Sequence, residues 1–183
     1  MVGVVEETGS SAVSLHPGDR VIVNQVTSCG HCYPCRIGRG NVCDSLAVRG
    51  VHIDGGYREY IAVPEQDCYL LPDSISDTDA VMIEPATIAI QSCTRAELKK
   101  DDLLLIYGCG ALGSSILKIA RLLCGYIIVA DVVDEKLEGA KSAGAAHTIN
   151  VLKENLEEKV KEYTHGHGAT VSIDAVCGSD SLI

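Results

Sequence analysis

The chain has 183 residues, 46% of them hydrophobic, with seven Tyr, no Phe, no Trp and a formal net charge of −10. That acidity repels a phosphate backbone, and the lack of Phe and Trp leaves few platforms for stacked bases, so nucleic-acid binding is set aside. Its longest apolar stretches, such as 122–130, are far short of the roughly 18 residues a membrane span needs.

The opening Met1-Val-Gly-Val-Val-Glu-Glu carries neither the basic nor the apolar region of a secretory signal. Nine cysteines, four of them at metal-ligand spacing, then point to the reducing cytosol and to cysteines acting as ligands and core residues. Short β-rich runs follow in order: Val2–Val5, Arg20–Val23 after the turn His16-Pro17-Gly18-Asp19, and Tyr57–Val63 after Asp54-Gly55-Gly56. Their spacing predicts a small barrel or folded sheet, with Pro64 and Pro72 bracketing a connector.

Cys29, Cys32, Cys35 and Cys43 interrupt that pattern as C-x2-C-x2-C-x7-C. Four thiolates saturate a tetrahedral Zn²⁺ and leave no position for water, which is the arrangement of a structural site. An iron–sulfur cluster also accepts four thiolates, but this spacing favours zinc. His31 lies inside the loop and reads as a solvated histidine, since the sulfurs already fill the shell.

Beyond residue 80 the pattern becomes β-α-β-α-β, the signature of a parallel sheet. Leu103–Ile106 and Tyr126–Ala130 read as buried strands, Thr148–Ile149 as a brief extended piece and Thr170–Val176 as a further strand. Between them, Leu112, Ile116, Ile119, Ala120 and Leu123 mark one helical face, Glu135–Ser142 a short helix, and Leu152, Leu156, Val160 and Tyr163 another amphipathic helix. Gly108-Cys109-Gly110-Ala111-Leu112-Gly113 is a G-x-G-x-x-G loop between a strand and a helix, the context in which glycines let a pyrophosphate approach a helix N-terminus. Asp131, 18 residues past Gly113 at the end of the next strand, is placed to accept both ribose hydroxyls and to repel a 2′-phosphate, favouring NAD over NADP. Cys68, Cys93, Cys109, Cys124 and Cys177 read as small core residues.

With these motifs in this order, the sequence resembles the zinc-dependent medium-chain alcohol dehydrogenase superfamily. The resemblance rests on the V-G-V-V-E-E and H-P-G-D-R-V segments, the four-cysteine lobe, Asp54-Gly55-Gly56-Tyr57, Glu84-Pro85 and the glycine loop. It implies an α/β fold: a partial GroES-like catalytic domain over 1–80 with its zinc lobe at 29–43, then a partial Rossmann domain over 81–183 with a doubly wound parallel sheet that looks unfinished. The family's cofactor residues fall on Gly108, Gly110, Leu112, Gly113 and Asp131, and Lys136 matches a basic residue that contacts the adenosine ribose. Glu84 matches the third ligand of a catalytic zinc as it occurs in the polyol and sugar-acid dehydrogenase branch; its alternative role is to start a helix ahead of Pro85. His52 lies near a turn that resembles a loop by the substrate cleft. The other two catalytic-zinc ligands would stand before Val2, so the chain resembles the middle of a dehydrogenase, with a mis-assigned start or a gene fragment as the two explanations.

The expected activity is hydride transfer between a secondary alcohol and NAD by a cytoplasmic enzyme that is a homo-oligomer when complete. Its partner is a small-molecule alcohol, with no nucleic acid and no membrane. The alternatives are a non-catalytic fragment that binds NAD and structural zinc, and a zinc-ribbon nucleic-acid binder, against which charge and composition both argue.

Overall fold

The computed structural model describes residues 1–176, which form two compact units, one over Met1–Met82 and a second from Ile83 onward. Among these residues no helix is long and apolar enough to cross a membrane.

In the first unit, β1 (Val2–Val4), β2 (Arg20–Val23) and β5 (Cys68–Leu70) make an antiparallel sheet in the order β1-β2-β5. Alternation along β2 buries Val21 and Val23, which pack with Leu15 against Met1, Val5, Val63 and Cys68. A separate ribbon pairs β3 (Val26–Thr27) with β4 (Ala47–Val48), and the cysteine lobe is the loop between those two strands. Within the lobe lie a short α-helix, α1 (Tyr33–Arg36), with Pro34 in its first turn, and a single 3-10 turn over Gly40–Val42. A further turn of helix, α2 (Asp77–Ala80), is capped by Ser76, whose hydroxyl accepts the Asp79 N–H.

Two expectations for this unit are overturned. The run Tyr57–Val63 forms no strand, because its backbone meets no ladder partner; Tyr57 and Tyr60 stand exposed instead. The segment between Pro64 and Pro72 is more than a connector, since β5 lies inside it and closes the sheet against β2.

The second unit starts with α3 (Ile83–Arg95), which packs against α4 (Ala111–Ala120). Its sheet is parallel throughout, built from β6 (Leu103–Tyr107), β7 (Tyr126–Asp131), β8 (His147–Asn150) and β9 (Val171–Asp174) in the order β8-β7-β6-β9. Two more helices follow strands: α5 (Asp134–Ser142) and α6 (Leu156–Tyr163). Alternate residues of β6 serve opposite faces. Leu104 and Ile106 join Cys93, Ile116, Leu117, Ile127 and Leu137 on one side, while Leu105 and Tyr107 pack with Ile128, Ile149 and Val160 on the other. Helices therefore cover both faces, which explains why the strands read as continuous apolar runs.

Helix starts are set by caps more than by apolar spacing. Leu152 falls outside α6, because Asn155 caps that helix by accepting the Glu158 N–H at 3.0 Å, and Leu152 sits exposed in the preceding turn. Likewise Leu123 lies beyond the end of α4 and is partly exposed. Cys93, Cys109 and Cys124 are buried as expected, Cys68 is half-buried, and Cys177 lies outside the described residues.

Candidate functional site

The four sulfurs of Cys29, Cys32, Cys35 and Cys43 lie within 4.8 Å of one another. Cys29 and Cys35 sulfurs are 4.0 Å apart, and those of Cys32 and Cys43 are 3.8 Å apart. A tetrahedron with Zn–S bonds of about 2.3 Å has edges of about 3.8 Å, so the donor set fits Zn²⁺ by both chemistry and size. It is the one group of His, Cys, Asp or Glu among the described residues that could hold a metal.

Backbone donors support the sulfurs. The N–H groups of Cys29 and Ser45 both donate to the Cys43 sulfur at 3.3 Å, and the Cys32 N–H donates to the Cys29 sulfur at 3.4 Å. N–H groups of His31 and Cys32 hold the Cys29 thiol down at about 6, ready to ligate as thiolate. Cys32 is also lowered, chiefly by the Asp44 N–H, whereas burial pushes Cys35 up to about 11. His31 is no ligand: its Nδ1 pairs with the Cys29 carbonyl at 2.9 Å, which makes it a donor there. His52 is likewise occupied, as its Nδ1 accepts the Val48 N–H at 3.0 Å and braces the turn after β4.

The second constellation lies at the carboxyl end of the parallel sheet. From β6 the chain steps outward to β7 and β8, then returns to place β9 on the other side of β6. That reversal is the topological switch point at which open α/β sheets bind ligands. Gly108 follows β6 with φ +92°, and a Cβ there would lie 2.4 Å from Val176. Gly113 is held still tighter, since a Cβ would fall 1.9 Å from the Gly108 carbonyl oxygen. Gly110 caps α4 with no side chain on its N–H groups, and the space where a Cβ would stand is open. Glycine thus allows the helix to pack onto the strand at Gly113 and leaves a bare helix N-terminus at Gly110. Leu112 is half-buried and packs against the core.

Asp131 closes β7, only 8% exposed. Its Oδ2 accepts the Cys109 N–H at 2.6 Å, and its Oδ1 accepts the N–H groups of Val132 and Val133 at 2.8 and 2.9 Å. Burial pushes its pKa up, but these donors and the charge of Lys136 outweigh it, and the net shift is downward. The carboxylate is therefore ionised at neutral pH. Three of its roughly four acceptor positions are already taken, so it can offer one position, not the pair expected from sequence. Lys136 stands exposed on α5, near enough to act on both Asp131 and Cys109. Glu84 lies half-buried in the first turn of α3, with Pro85 after it.

Sequence reasoning missed two further features. Asn150, buried at the end of β8, donates to Asp134 at 2.7 Å, and Lys153 bonds the same carboxylate at 2.6 Å, fixing the start of α5. The first unit also holds an open cleft of about 1040 Å³ between its N-terminal strand and residues 56–65, lined by Val2, Leu15, Val21, Tyr60 and Cys68 among others. Only the fold brings either set together, so no local motif announced them.

A GroES-like sheet with a four-sulfur lobe, followed by a Rossmann-type sheet with its glycine loop, defines a zinc-binding dehydrogenase architecture. The family model for the alcohol dehydrogenase GroES-like domain matches residues 1–73, and that for zinc-binding dehydrogenases matches residues 111–182. The chain belongs to the zinc-dependent medium-chain alcohol dehydrogenase superfamily. It is 43% identical over 177 residues to the starvation-sensing protein RspB of Escherichia coli K12, covering 96% of this chain and 52% of that protein. Sorbitol dehydrogenase of Bacillus subtilis is 33% identical over 172 residues, covering 93% of this chain and 49% of that one. A crystal structure of E. coli CFT073 RspB, described as a short chain alcohol dehydrogenase complexed with NADH, superposes with a TM-score of 0.89 at 42% identity, over 97% of this chain and 52% of the other. The chain spans about half the length of the curated relatives it matches.

Proposed function

We propose that this chain carries the structural-zinc lobe and the dinucleotide-binding core of an NAD-dependent zinc oxidoreductase acting on a secondary alcohol of polyol or sugar-acid type. In this reading residues 1–80 belong to the catalytic domain and 81–183 to the NAD-binding domain, in a cytoplasmic enzyme that is a homo-oligomer when complete. The observation that carries the reading is the glycine loop and the ionised Asp131, hydrogen-bonded together at the sheet's switch point. Relatives named for sorbitol and for L-threonine oxidation support the alcohol class.

The roles follow from the geometry. Cys29, Cys32, Cys35 and Cys43 hold Zn²⁺ with every position filled, so that metal braces the lobe and touches no substrate. The bare N-terminus of α4 receives the pyrophosphate of NAD, Gly108 and Gly113 keep the loop close to the strand, and Leu112 packs beneath it. Asp131 accepts a ribose hydroxyl and repels a 2′-phosphate, while Lys136 contacts the adenosine ribose from α5. Glu84 is assigned to the shell of a catalytic zinc at the head of α3, and His52 remains a weaker candidate beside the substrate turn because Val48 occupies its Nδ1. NAD, when bound, supplies the hydride acceptor.

A second reading, a non-catalytic module that binds NAD and one zinc, rests on the same two constellations, the four-sulfur lobe and the glycine loop hydrogen-bonded to Asp131. One experiment addresses both. The purified chain is titrated with NADH and with NADPH, using the cofactor's own fluorescence, and is then assayed for alcohol-dependent NAD reduction with added zinc. Preferential NADH binding with turnover supports the enzyme, and preferential NADH binding without turnover supports the module. Absence of NADH binding removes both.

A further inference from the structure

We propose that Asp131 is the latch that holds the glycine loop in its phosphate-receiving shape, a role separate from any contact with ribose. The ribose contact rests on the NAD reading above; the latch rests on bonds within the chain itself.

Cys109 is the second residue of the loop and lies 22 residues from Asp131 in sequence. Two consecutive loop N–H groups are tied to the end of β7: that of Gly108 to the Ala130 carbonyl at 2.7 Å, and that of Cys109 to the Asp131 carboxylate at 2.6 Å. The first is a ladder-like bond that any residue at 130 would make. The second requires an acceptor side chain at 131, and as a charge-assisted bond to a buried carboxylate it is the stronger kind. Together they fix two successive peptide planes, that between Tyr107 and Gly108 and, through Asp131, that between Gly108 and Cys109. The second plane turns the Cys109 side chain inward, where it is 6% exposed, and leaves Gly110 outward at the cap of α4.

Asp131 is itself held. Val132 and Val133 N–H groups occupy its other oxygen, so the carboxylate cannot swing away from the loop without abandoning two bonds. The loop is consequently set before any ligand arrives, and little ordering remains to oppose binding. An asparagine at 131 has one acceptor oxygen where two are needed. Turned to satisfy Val132 and Val133, it presents N–H groups to the Cys109 N–H, and the latch opens.

A nucleotide without ribose hydroxyls separates the two roles. Affinity for 2′,3′-dideoxyadenosine 5′-diphosphate is measured by calorimetry on the zinc-loaded chain and on Asp131→Asn. A latch gives a variant about 10-fold weaker or worse for this ligand, while equal affinity overturns the proposal, because an acid acting only through the diol has nothing to hold. The second readout needs no ligand: alkylation of Cys109 by iodoacetamide, followed by peptide mass mapping. The latch predicts at least about 10-fold faster modification in Asp131→Asn, and equal rates overturn it. If the wild-type chain binds neither the dideoxy nucleotide nor NADH, the cofactor reading fails and Cys109 alkylation alone decides the latch. Should Asp131→Asn not fold, amide exchange in the wild-type chain takes its place: a protected Cys109 N–H supports the latch, and exchange at the unprotected rate overturns it.

Discussion

Arg49 and Asp67 meet Nη2 to Oδ2 at 2.8 Å, with only 6% and 8% of their side chains exposed. Thr27 completes the cluster, donating its hydroxyl to the same Asp67 oxygen at 2.8 Å and accepting from Arg49 at 3.0 Å. Thr27 ends β3 and Arg49 follows β4, so the cluster ties both roots of the cysteine lobe to the turn that leads into β5. The lobe is thereby closed twice, by sulfurs at its centre and by a buried ion pair at its base.

Breaking the base from one side is expected to be costly. Arg49→Ala leaves a carboxylate buried beside a hydroxyl, and loss of one partner of a buried pair costs about 3–5 kcal/mol. Replacing both, as Arg49→Met with Asp67→Leu, is expected to cost much less than either single change, since no charge is then stranded. Urea unfolding of the two singles and the double, followed by far-ultraviolet circular dichroism, gives the coupling directly. Additive losses would remove the ion pair from this role.

Zinc occupancy depends on Cys43 most directly, because it is the buried member of the four and accepts two backbone N–H bonds. Cys43→Ser replaces the thiolate ligand, which also accepts those two N–H groups, by a hydroxyl that is a far weaker zinc ligand. The affinity is expected to fall by more than the roughly 10–100-fold that loss of an outer-shell partner costs. Competition with a chromophoric chelator measures it, and the Co²⁺-substituted chain should show thiolate charge-transfer absorption that weakens in the variant. Retention of about one tightly bound zinc per chain by Cys43→Ser would assign the metal elsewhere.

What the sequence made legible was local. The four cysteines and the glycine loop each pack their chemistry into a short stretch, and spacing alone states what they can bind. Strands β6 and β7 were equally plain, because burial on both faces makes them unbroken apolar runs. Pairing between distant segments was opaque. Tyr57–Val63 has the β-rich composition but no partner, whereas Cys68–Leu70, hidden between prolines, finds β2. Asp131 reads as an acid at a strand end, yet its bond to Cys109 depends on where β6 stops relative to β7, which no periodicity encodes. Arg49 carried no signal, since an arginine in a polar loop reads as solvated until the fold buries it.

Glu65 supplies a pH test. Its carboxylate takes the N–H groups of Val13, Ser14 and Leu15 and the Ser14 hydroxyl at 2.7–3.2 Å, pinning the loop before the 16–19 turn. The Ser14 N–H, then its hydroxyl, hold the pKa at about 2, against an ordinary 4.5. A depressed folded-state pKa means that the stabilisation is fully present above the ordinary value and is lost as pH falls from there through about 2. The amides of 13–15 should therefore stay protected from exchange at pH 4 and open as pH approaches 2. Glu65→Gln should leave the same amides open at every pH. Protection in that variant equal to the wild type would show that the carboxylate does not hold the loop.

Gly113 and Gly110 separate packing from ligand access within one motif. At Gly113 a methyl group would lie 1.9 Å from the Gly108 carbonyl oxygen and 2.9 Å from its carbon, both backbone atoms that cannot turn aside. Gly113→Ala must push α4 off β6, an overpacking that costs about 1–3 kcal/mol or more, and the urea midpoint should fall accordingly. At Gly110 the same methyl meets nothing within 4 Å, and the backbone φ of −73° suits any residue. Gly110→Ala is therefore expected to unfold within about 1 kcal/mol of the wild type, the cost of a poorer N-cap residue. Its methyl group would instead stand where the pyrophosphate approaches, so NADH affinity should fall about 10-fold or more while stability holds. Unchanged NADH binding by Gly110→Ala would mean that the phosphates do not sit on this helix.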